Sequence, residues 1–148
     1  MKKFKGLDCI LLIDDEEANN FLHQMVIEHA KIDTFVQTTY NGVEALEFLT
    51  CTGKFSRAKD FPQPGIIFLD INMPKMNGWE FLEEYVKLPE EQKGKIVMAM
   101  LTSSLNQDDI DKSNKNTNLK GFINKPLTAA KLMTVIENNF PISEIKTY

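Results

Sequence analysis

The segment CILLIDD, residues 9–15, is a run of five apolar residues that ends abruptly at two acids. Continuous apolar runs of this length are typical of strands buried on both faces, as in parallel sheets that helices cover on each side. Four other segments have strand character, through an apolar run or through β-branched residues. They are TFVQTT (34–39), GIIFL (65–69), IVMAML (96–101) and LKGFIN (119–124). The chain therefore predicts five strands.

Segments with helical periodicity lie between these runs. In the first of them, apolar residues that include Phe21 and Leu22 recur at helical spacing. Helices are predicted at about 17–30, 43–49, 77–88 and 128–140. The Asn-rich segment 106–118 predicts only a marginal helix, because it has few apolar anchors. Alternating strands and helices indicate an α/β fold, and the right-handed crossover rule favours a doubly wound parallel sheet.

The composition is that of an ordinary globular domain. The 148 residues have a net charge of −4, and we expect one domain over 1–148, with a core at about 7–140 and no output domain. No apolar stretch approaches the ~18 residues of a membrane span, and the N-terminal segment lacks a signal-peptide pattern. Cys9 and Cys51 form no CxxC motif, so a reducing cytoplasm is the expected location. The mild acidity disfavours nucleic acid as a partner, because nucleic-acid binding depends on Lys and Arg contacts to phosphate.

Polar residues stand where the predicted strands end. Asp14 and Asp15 follow the first strand, Asp70 follows the central one, and Thr102 and Lys125 follow the last two. In open parallel sheets, ligands bind outside the carboxyl ends of the strands. Taken singly, each residue has a simpler explanation: the acids and Thr102 could cap helices or occupy turns, and Lys125 could extend into solvent.

The combination of these residues favours a chemical role over capping. Two carboxylates about 5 Å apart repel each other by about 3 kcal/mol at an effective dielectric near 20. Three clustered carboxylates therefore require a cation or a proton, and Mg²⁺ prefers such oxygen ligands. A carboxylate beside Mg²⁺, a hydroxyl and an ammonium group is the arrangement that phosphoryl transfer to an Asp requires.

Four motifs in this order resemble the receiver domain of two-component response regulators, over nearly the whole chain. They are ILLIDDEEAN (10–19), LDINMPKMNGWEFL (69–82), MLTSS (100–104) and FINKP (122–126). The resemblance implies a flavodoxin-like, doubly wound five-stranded parallel sheet with strand order 2-1-3-4-5. It also implies a signalling switch that catalyses only its own phosphorylation and dephosphorylation.

The resemblance implies a phosphoacceptor and a metal site. Asp70 would accept the phosphoryl group. Asp15 and Asp70 would bind Mg²⁺ directly, together with the backbone carbonyl of Asn72, while Asp14 would act largely through water. Asn72 and Ser104 flank the path of a hydrolytic water, and we expect them to set the rate of dephosphorylation.

The resemblance also implies a switch. Thr102 would bind the phosphoryl group, Lys125 would pair with it, and Phe122 would turn inward as Thr102 moves. The family leads us to expect a cis peptide bond between Lys125 and Pro126.

The implied partners are proteins. A sensor histidine kinase or a phosphotransfer protein would supply the phosphoryl group, and a downstream protein or a second copy in a homodimer would receive the signal. The long connection 52–64 resembles that of receivers partnered with phytochrome-type kinases.

Two alternative functions are disfavoured by particular residues. A haloacid-dehalogenase-like Mg²⁺ phosphatase also has an Asp nucleophile, but it needs a second Asp two residues later, where this chain has Asn72, and its nucleophile precedes the acidic pair. A flavodoxin-like FMN-binding module needs a phosphate-binding loop after the first strand. In this chain the acids at 14–17 occupy that place and would repel a phosphate.

Overall fold

The computed structural model describes residues 1–57, 62–93, 96–103 and 106–145. Within them, five strands form a parallel sheet. These strands are β2 (Cys9–Ile13), β3 (Phe35–Thr39), β4 (Ile66–Asp70), β5 (Val97–Thr102) and β6 (Leu119–Asn124). Their spatial order is β3-β2-β4-β5-β6, which confirms the predicted order 2-1-3-4-5.

At least one helix follows each strand of this sheet along the chain. These helices are α1 (Glu17–His29), α2 (Gly42–Thr50), α3 (Gly78–Tyr85), α4 (Glu90–Lys93), α5 (Gln107–Lys115) and α6 (Ala129–Asn139). The four helices predicted outside the Asn-rich segment all form. The third ends at Tyr85 and is followed by the separate short turn α4. In the described part of the chain, no helix has both the length and the apolar character that a membrane span requires.

The apolar runs fill two cores, one on each face of the sheet. Successive side chains of a strand point to opposite faces. Accordingly, Ile10 and Leu12 belong to one buried cluster and Leu11 and Ile13 to the other. Every residue of β2, β4 and β5 is buried, which explains why these strands have continuous apolar sequences.

A second, two-stranded sheet was not predicted. β1 (Lys2–Phe4) pairs antiparallel with β7 (Ile142–Ile145) and joins the two ends of the described chain. The strands are three and four residues long, so neither contains enough residues to show a periodic pattern.

The Asn-rich segment forms α5, and its anchoring is as weak as the sequence predicts. Asn106 caps the helix, its side chain accepting a hydrogen bond from Asp109 N. None of the residues 107–115, all of which the structure describes, is fully buried. The principal link from α5 to α3 is a hydrogen bond from Trp79 Nε1 to Asp109 Oδ1 at 3.0 Å, and Lys112 Nζ lies 5.5 Å from the centre of the Trp79 ring.

Candidate functional site

The carboxyl edge of the sheet brings three carboxylates together. Asp14 follows β2 directly, Asp15 is next to it, and Asp70 is the last residue of β4, the strand beside β2. One carboxylate oxygen from each of the three lies within 4.8 Å of the others. Asp14 and Asp70 are buried and Asp15 is exposed. The structure therefore brings the three carboxylates at the strand ends into one cluster.

Lys125 supplies a positive charge to this cluster. Its Nζ lies 2.7 Å from Asp14 Oδ2 and 3.3 Å from Asp70 Oδ1, and it donates hydrogen bonds to both. Lys125 lies directly after β6, at the edge of the sheet, so its side chain reaches across the end of β5 to the central strands. The Lys125 side chain therefore points to the carboxylates and does not extend into solvent.

The surroundings perturb both ionisable groups. Burial, and then the charge of Asp14, raise the pKa of Asp70 to about 6, although Lys125 opposes the shift. Burial by itself would lower the pKa of Lys125, but the hydrogen bond and charge of Asp14 and the charge of Asp70 outweigh it and raise that pKa. Lys125 therefore remains protonated at neutral pH, whereas Asp70 is a carboxylate held at a cost.

Asp14 is fixed by its own turn. Its Oδ1 accepts hydrogen bonds from Glu16 N at 3.0 Å and from Asn19 Nδ2 at 3.4 Å. The backbone carbonyl of Asp14 accepts another from Asn20 Nδ2 at 3.0 Å. Glu16, and not Asp14 or Asp15, is the N-cap residue of α1, and it makes no side-chain capping bond. Capping alone thus does not account for the acidic pair.

Thr102 and Asn72 lie around the same site. Thr102 is fully buried at the end of β5, and its carbonyl accepts a hydrogen bond from Lys125 N at 2.7 Å. Asn72 and Ser103 line the cavity above Asp70. Ser104, which the sequence pairs with Asn72, lies outside the described residues.

The turn after Asp70 depends on a glycine. A Cβ atom on Gly78 would lie 2.8 Å from the carbonyl oxygen of Asp70, closer than real Cβ atoms approach a backbone oxygen. Gly78 N also donates a hydrogen bond to Ile71 O at 2.8 Å. Glycine at the start of α3 therefore lets the loop 71–77 fold back against the end of β4.

A cavity of about 470 Å³ opens over these groups. Four elements contribute to its walls: the start of α1, the end of β4, the end of β5 and the loop between β6 and α6. Its lining residues are Asp15, Glu16, Asn19, Leu22, His23, Asp70, Asn72, Ser103, Lys125, Pro126 and Leu127.

His23 is a residue of this cavity that the sequence analysis missed. Nothing in the sequence marked this histidine as a residue of the site, yet its side chain is only 5% exposed. Burial lowers the pKa of His23, the charge of Asp14 opposes that effect, and Lys125 adds to it. No sequence signal identifies it, because the apolar periodicity of α1 does not mark the buried face.

That buried face consists of Asn20, His23 and Ile27, whereas Phe21 and Leu22 are 60% and 56% exposed. Asn20 Nδ2 bridges the carbonyls of Asp14 and Thr39, and Asn20 Oδ1 is buried with no hydrogen-bond partner among the described residues. Polar side chains thus join α1 to the ends of the strands, whereas Phe21 and Leu22 face solvent.

Phe122 lies apart from the carboxylates. It is half-buried on β6, beside Met100 of β5, and it packs against the core cluster that contains Met98 and Met100. The peptide bond between Lys125 and Pro126 is cis.

The donor set fits a hard divalent cation. Three carboxylates outnumber the ammonium group of Lys125, and all of their ligand atoms are oxygens. Mg²⁺ and related ions are commonly held by one or two carboxylates, carbonyl oxygens and water.

Comparisons with known proteins agree with this geometry. A sequence model of the family described as "Response regulator receiver domain" matches residues 10–137. The chain is 35% identical over 101 residues to the response regulator Rcp1 of Synechocystis sp., an alignment that covers 68% of this chain and 65% of Rcp1. It is 30% identical over 136 residues to the two-component response regulator ARR22 of Arabidopsis thaliana, covering 92% of this chain and 86% of ARR22.

Solved structures give the same result. A two-component response regulator from Cytophaga hutchinsonii superposes with a TM-score of 0.77 at 30% identity, covering 89% of this chain and 96% of that one. The bacteriophytochrome response regulator AtBRR has a TM-score of 0.76 at 26% identity, with 90% and 92% of the two chains covered. The Mn²⁺-bound form of Rcp1 has a TM-score of 0.69 at 29% identity, with 86% and 88% covered.

Proposed function

The chain belongs to the response regulator receiver domain family, and from that premise we propose that it accepts a phosphoryl group on Asp70 in a Mg²⁺-dependent reaction. Receiver domains are signalling switches that bind a divalent metal at an acidic pocket. The observation that carries the proposal is the position of Asp70: it lies at the edge of the cavity, within reach of two further carboxylates and of Lys125.

The chemistry is a transfer between two proteins. An oxygen of the Asp70 carboxylate attacks the phosphorus of a phosphohistidine, an O–P bond forms, the N–P bond breaks, and the imidazole nitrogen keeps its electron pair. A bound divalent cation would offset charge on the transferred oxygens. Lys125 exchanges its contact with Asp70 for one with the phosphoryl group, and the Thr102 hydroxyl donates a hydrogen bond to it.

The metal would be held by Asp15 and Asp70, the backbone carbonyl of Asn72 and, through water, Asp14. Asp15 is the exposed member of the acidic cluster, and Asn72 lines the same cavity. Both facts support direct contact with an ion that enters from solvent. The buried Asp14 is already engaged by Glu16 N and Lys125, which supports an indirect role for it.

The phosphorylated site would bias Thr102, Phe122 and α5. Phosphorylation adds about −1.5 to −2 charges, and the helix after Thr102 is α5, which has no fully buried residue to anchor it. Together with Asn72, Ser104 would set the phosphoryl lifetime, a prediction that lies outside the described residues.

The proposed donor is a sensor histidine kinase or a phosphotransfer protein. Phe21 and Leu22 form an exposed apolar surface on α1, and Leu22 also lines the cavity over Asp70. A partner that presents a phosphohistidine must bury such a surface to bring its imidazole to the carboxylate. A downstream protein, or a second copy of the chain, would recognise the changed face of the last two strand–helix units, β5–α5 and β6–α6.

The domain organisation, the location and the partners of the whole protein remain predictions. The aligned chain spans less than two thirds of Rcp1, so the single-domain organisation over 1–148, the cytoplasmic location and the partners are proposals. The phosphatase alternative has no support from the comparisons, which give receiver domains and response regulators.

The test is phosphorylation with acetyl phosphate and Mg²⁺, followed by intact mass. We expect one phosphoryl group per chain, none without the metal and none in Asp70→Asn. The matched control is Asp8→Asn, which removes an exposed acid just before β2, at the opposite end of that strand. Multiple turnovers on varied phosphomonoesters, or an adduct that survives in Asp70→Asn, would contradict the proposal.

A further inference from the structure

The loop that carries Lys125 is held by a second lysine. Lys131 Nζ lies 2.8 Å from the carbonyl oxygen of Asn124 and 3.3 Å from that of Pro126. These carbonyls belong to the residues immediately before and after Lys125. One ammonium group thus binds both flanks of the residue whose side chain reaches Asp14 and Asp70.

Lys131 is placed where a cation is unfavourable for helix stability. Thr128 is the N-cap of α6, and Lys131 is the third residue of the helix, with its backbone N–H donating to Thr128 Oγ1. The first turn of a helix has a positive electrostatic potential, and this position commonly holds an acid that returns to the N-cap. The two loop carbonyls give the Lys131 ammonium group acceptors that offset this placement.

The other side of Lys125 is fixed by the sheet. Lys125 N donates to Thr102 O at 2.7 Å, which joins the loop to the end of β5. The backbone of Lys125 is therefore held by a strand on one side and by Lys131 through the flanking carbonyls. We propose that Lys131 is a positioning residue that holds the Lys125 loop so that the Lys125 ammonium group reaches the phosphoryl oxygens. This role rests on the proposed function, because it supposes that Lys125 pairs with the phosphoryl group.

The magnitude follows from how strongly transfer depends on geometry. A displacement of about 1 Å at a reacting centre can lower a rate by about 10²-fold, and a loop that keeps its bond to β5 moves less than that. We expect Lys131→Met to slow phosphorylation of Asp70 by about five- to tenfold. The affinity for Mg²⁺ should stay within about twofold of wild type, because no proposed metal ligand is touched.

The experiment compares three variants with the wild type. Lys131→Met removes the donors and keeps most of the stem, and Lys131→Arg keeps donors for both carbonyls. Lys120→Met is the matched control. Lys120 and Lys131 both line a second cavity, between β6 and α6, and among the described residues no hydrogen bond joins Lys120 to the loop. We expect the rate to fall in Lys131→Met alone, with Lys131→Arg close to wild type.

A double variant separates positioning from general damage. In a Lys125→Met background, Lys131→Met should have no further effect on the rate, since it acts through Lys125. A loss of the same size in that background, or an equal loss in Lys120→Met, would overturn the proposal.

The two hydrogen bonds from Lys131 Nζ to the carbonyls of Asn124 and Pro126 form a clamp on the loop. Amide hydrogen exchange tests this clamp without any phosphoryl transfer. The exchange of Lys125 N–H should accelerate in Lys131→Met and stay unchanged in Lys120→Met. If the wild type takes no phosphoryl group while this exchange changes, the proposed function has failed and the clamp stands. Exchange that is unchanged in Lys131→Met would overturn the clamp, whatever the phosphorylation assay shows.

Discussion

Replacing Asp70 with Asn should stabilise the metal-free protein while it abolishes phosphorylation. The substitution keeps the shape of the side chain and removes its charge. In the wild type, burial and the neighbouring Asp14 raise the pKa of Asp70 from 3.8 to about 6. The ionised carboxylate is therefore less favourable in the folded chain than in the unfolded one.

The magnitude follows from the pKa difference. A shift of about two units corresponds to about 3 kcal/mol, since each unit is 1.36 kcal/mol. The pKa of about 6 already includes the opposing charge and hydrogen bond of Lys125, so their weakening in the Asn variant is not subtracted again. We therefore expect a gain of about 3 kcal/mol in the free energy of unfolding at neutral pH.

The pH dependence has a definite sign. Because the folded pKa of Asp70 lies above its unfolded value, the folded wild type binds more protons between about pH 4 and pH 6. The contribution of Asp70 to stability is therefore lost as the pH rises through that window. The advantage of Asp70→Asn should be full above about pH 7 and should shrink towards about pH 4, where the wild-type carboxyl is neutral.

The assay is urea unfolding followed by circular dichroism, in EDTA, at several pH values between about 4.5 and 7.5. Added Mg²⁺ should stabilise the wild type and leave Asp70→Asn nearly unchanged, because ligand binding to the folded state alone shifts the equilibrium. The Asp8→Asn variant controls for the loss of one negative charge. A variant less stable than wild type at about pH 7.5, or a difference that does not vary with pH, would refute the reasoning.

Three other outcomes are expected. A thiol reagent should label Cys51 in the native protein and leave Cys9 unmodified until urea is added, since burial raises the pKa of Cys9 to about 12; mass spectrometry would show equal native labelling if this is wrong. Lys125→Met should lower the free energy of unfolding in EDTA by about 3 kcal/mol, because it leaves a buried charge without its partner. The same variant should bind Mg²⁺ more tightly, because a competing cation is removed, and calorimetry that finds weaker binding would contradict this. Trp79 is the one tryptophan of the sequence, so the fluorescence emission should shift on phosphorylation as α5 moves; an emission unchanged at full phosphorylation would argue against that movement. Trp79→Phe should lower the free energy of unfolding by about 1 kcal/mol, because the hydrogen bond to Asp109 is lost.

The central strands were predictable because their signal is local. The runs 9–13 and 65–69 are buried on both faces, so burial appears directly as uninterrupted apolar sequence. Their boundaries agree with the structure to within one residue. β1 and β7 were missed because they pair the two ends of the described chain and are too short to show any periodicity.

The face of α1 shows where periodicity misleads. The apolar series that includes Phe21 and Leu22 recurs at helical spacing, which correctly predicts a helix, yet these two side chains face solvent. Asn20 and His23 are buried instead, because the helix lies against strand ends whose carbonyls and carboxylates require polar partners. A single sequence shows that a helix is amphipathic, and the neighbouring elements decide which face is buried.

The sequence by itself determined the fold class, the five strands and the residue types at their carboxyl ends, because strand burial and strand termination are local properties of the chain. Only the tertiary structure decided that Lys125 bridges Asp14 and Asp70, that His23 lines the cavity and that Lys131 holds the loop. Asp14 and Lys125 are separated by 111 residues, and a contact of 2.7 Å between them depends on sheet order, register and the path of one loop. Such distances arise from the packing of the whole sheet, for which no local pattern of residues is a substitute.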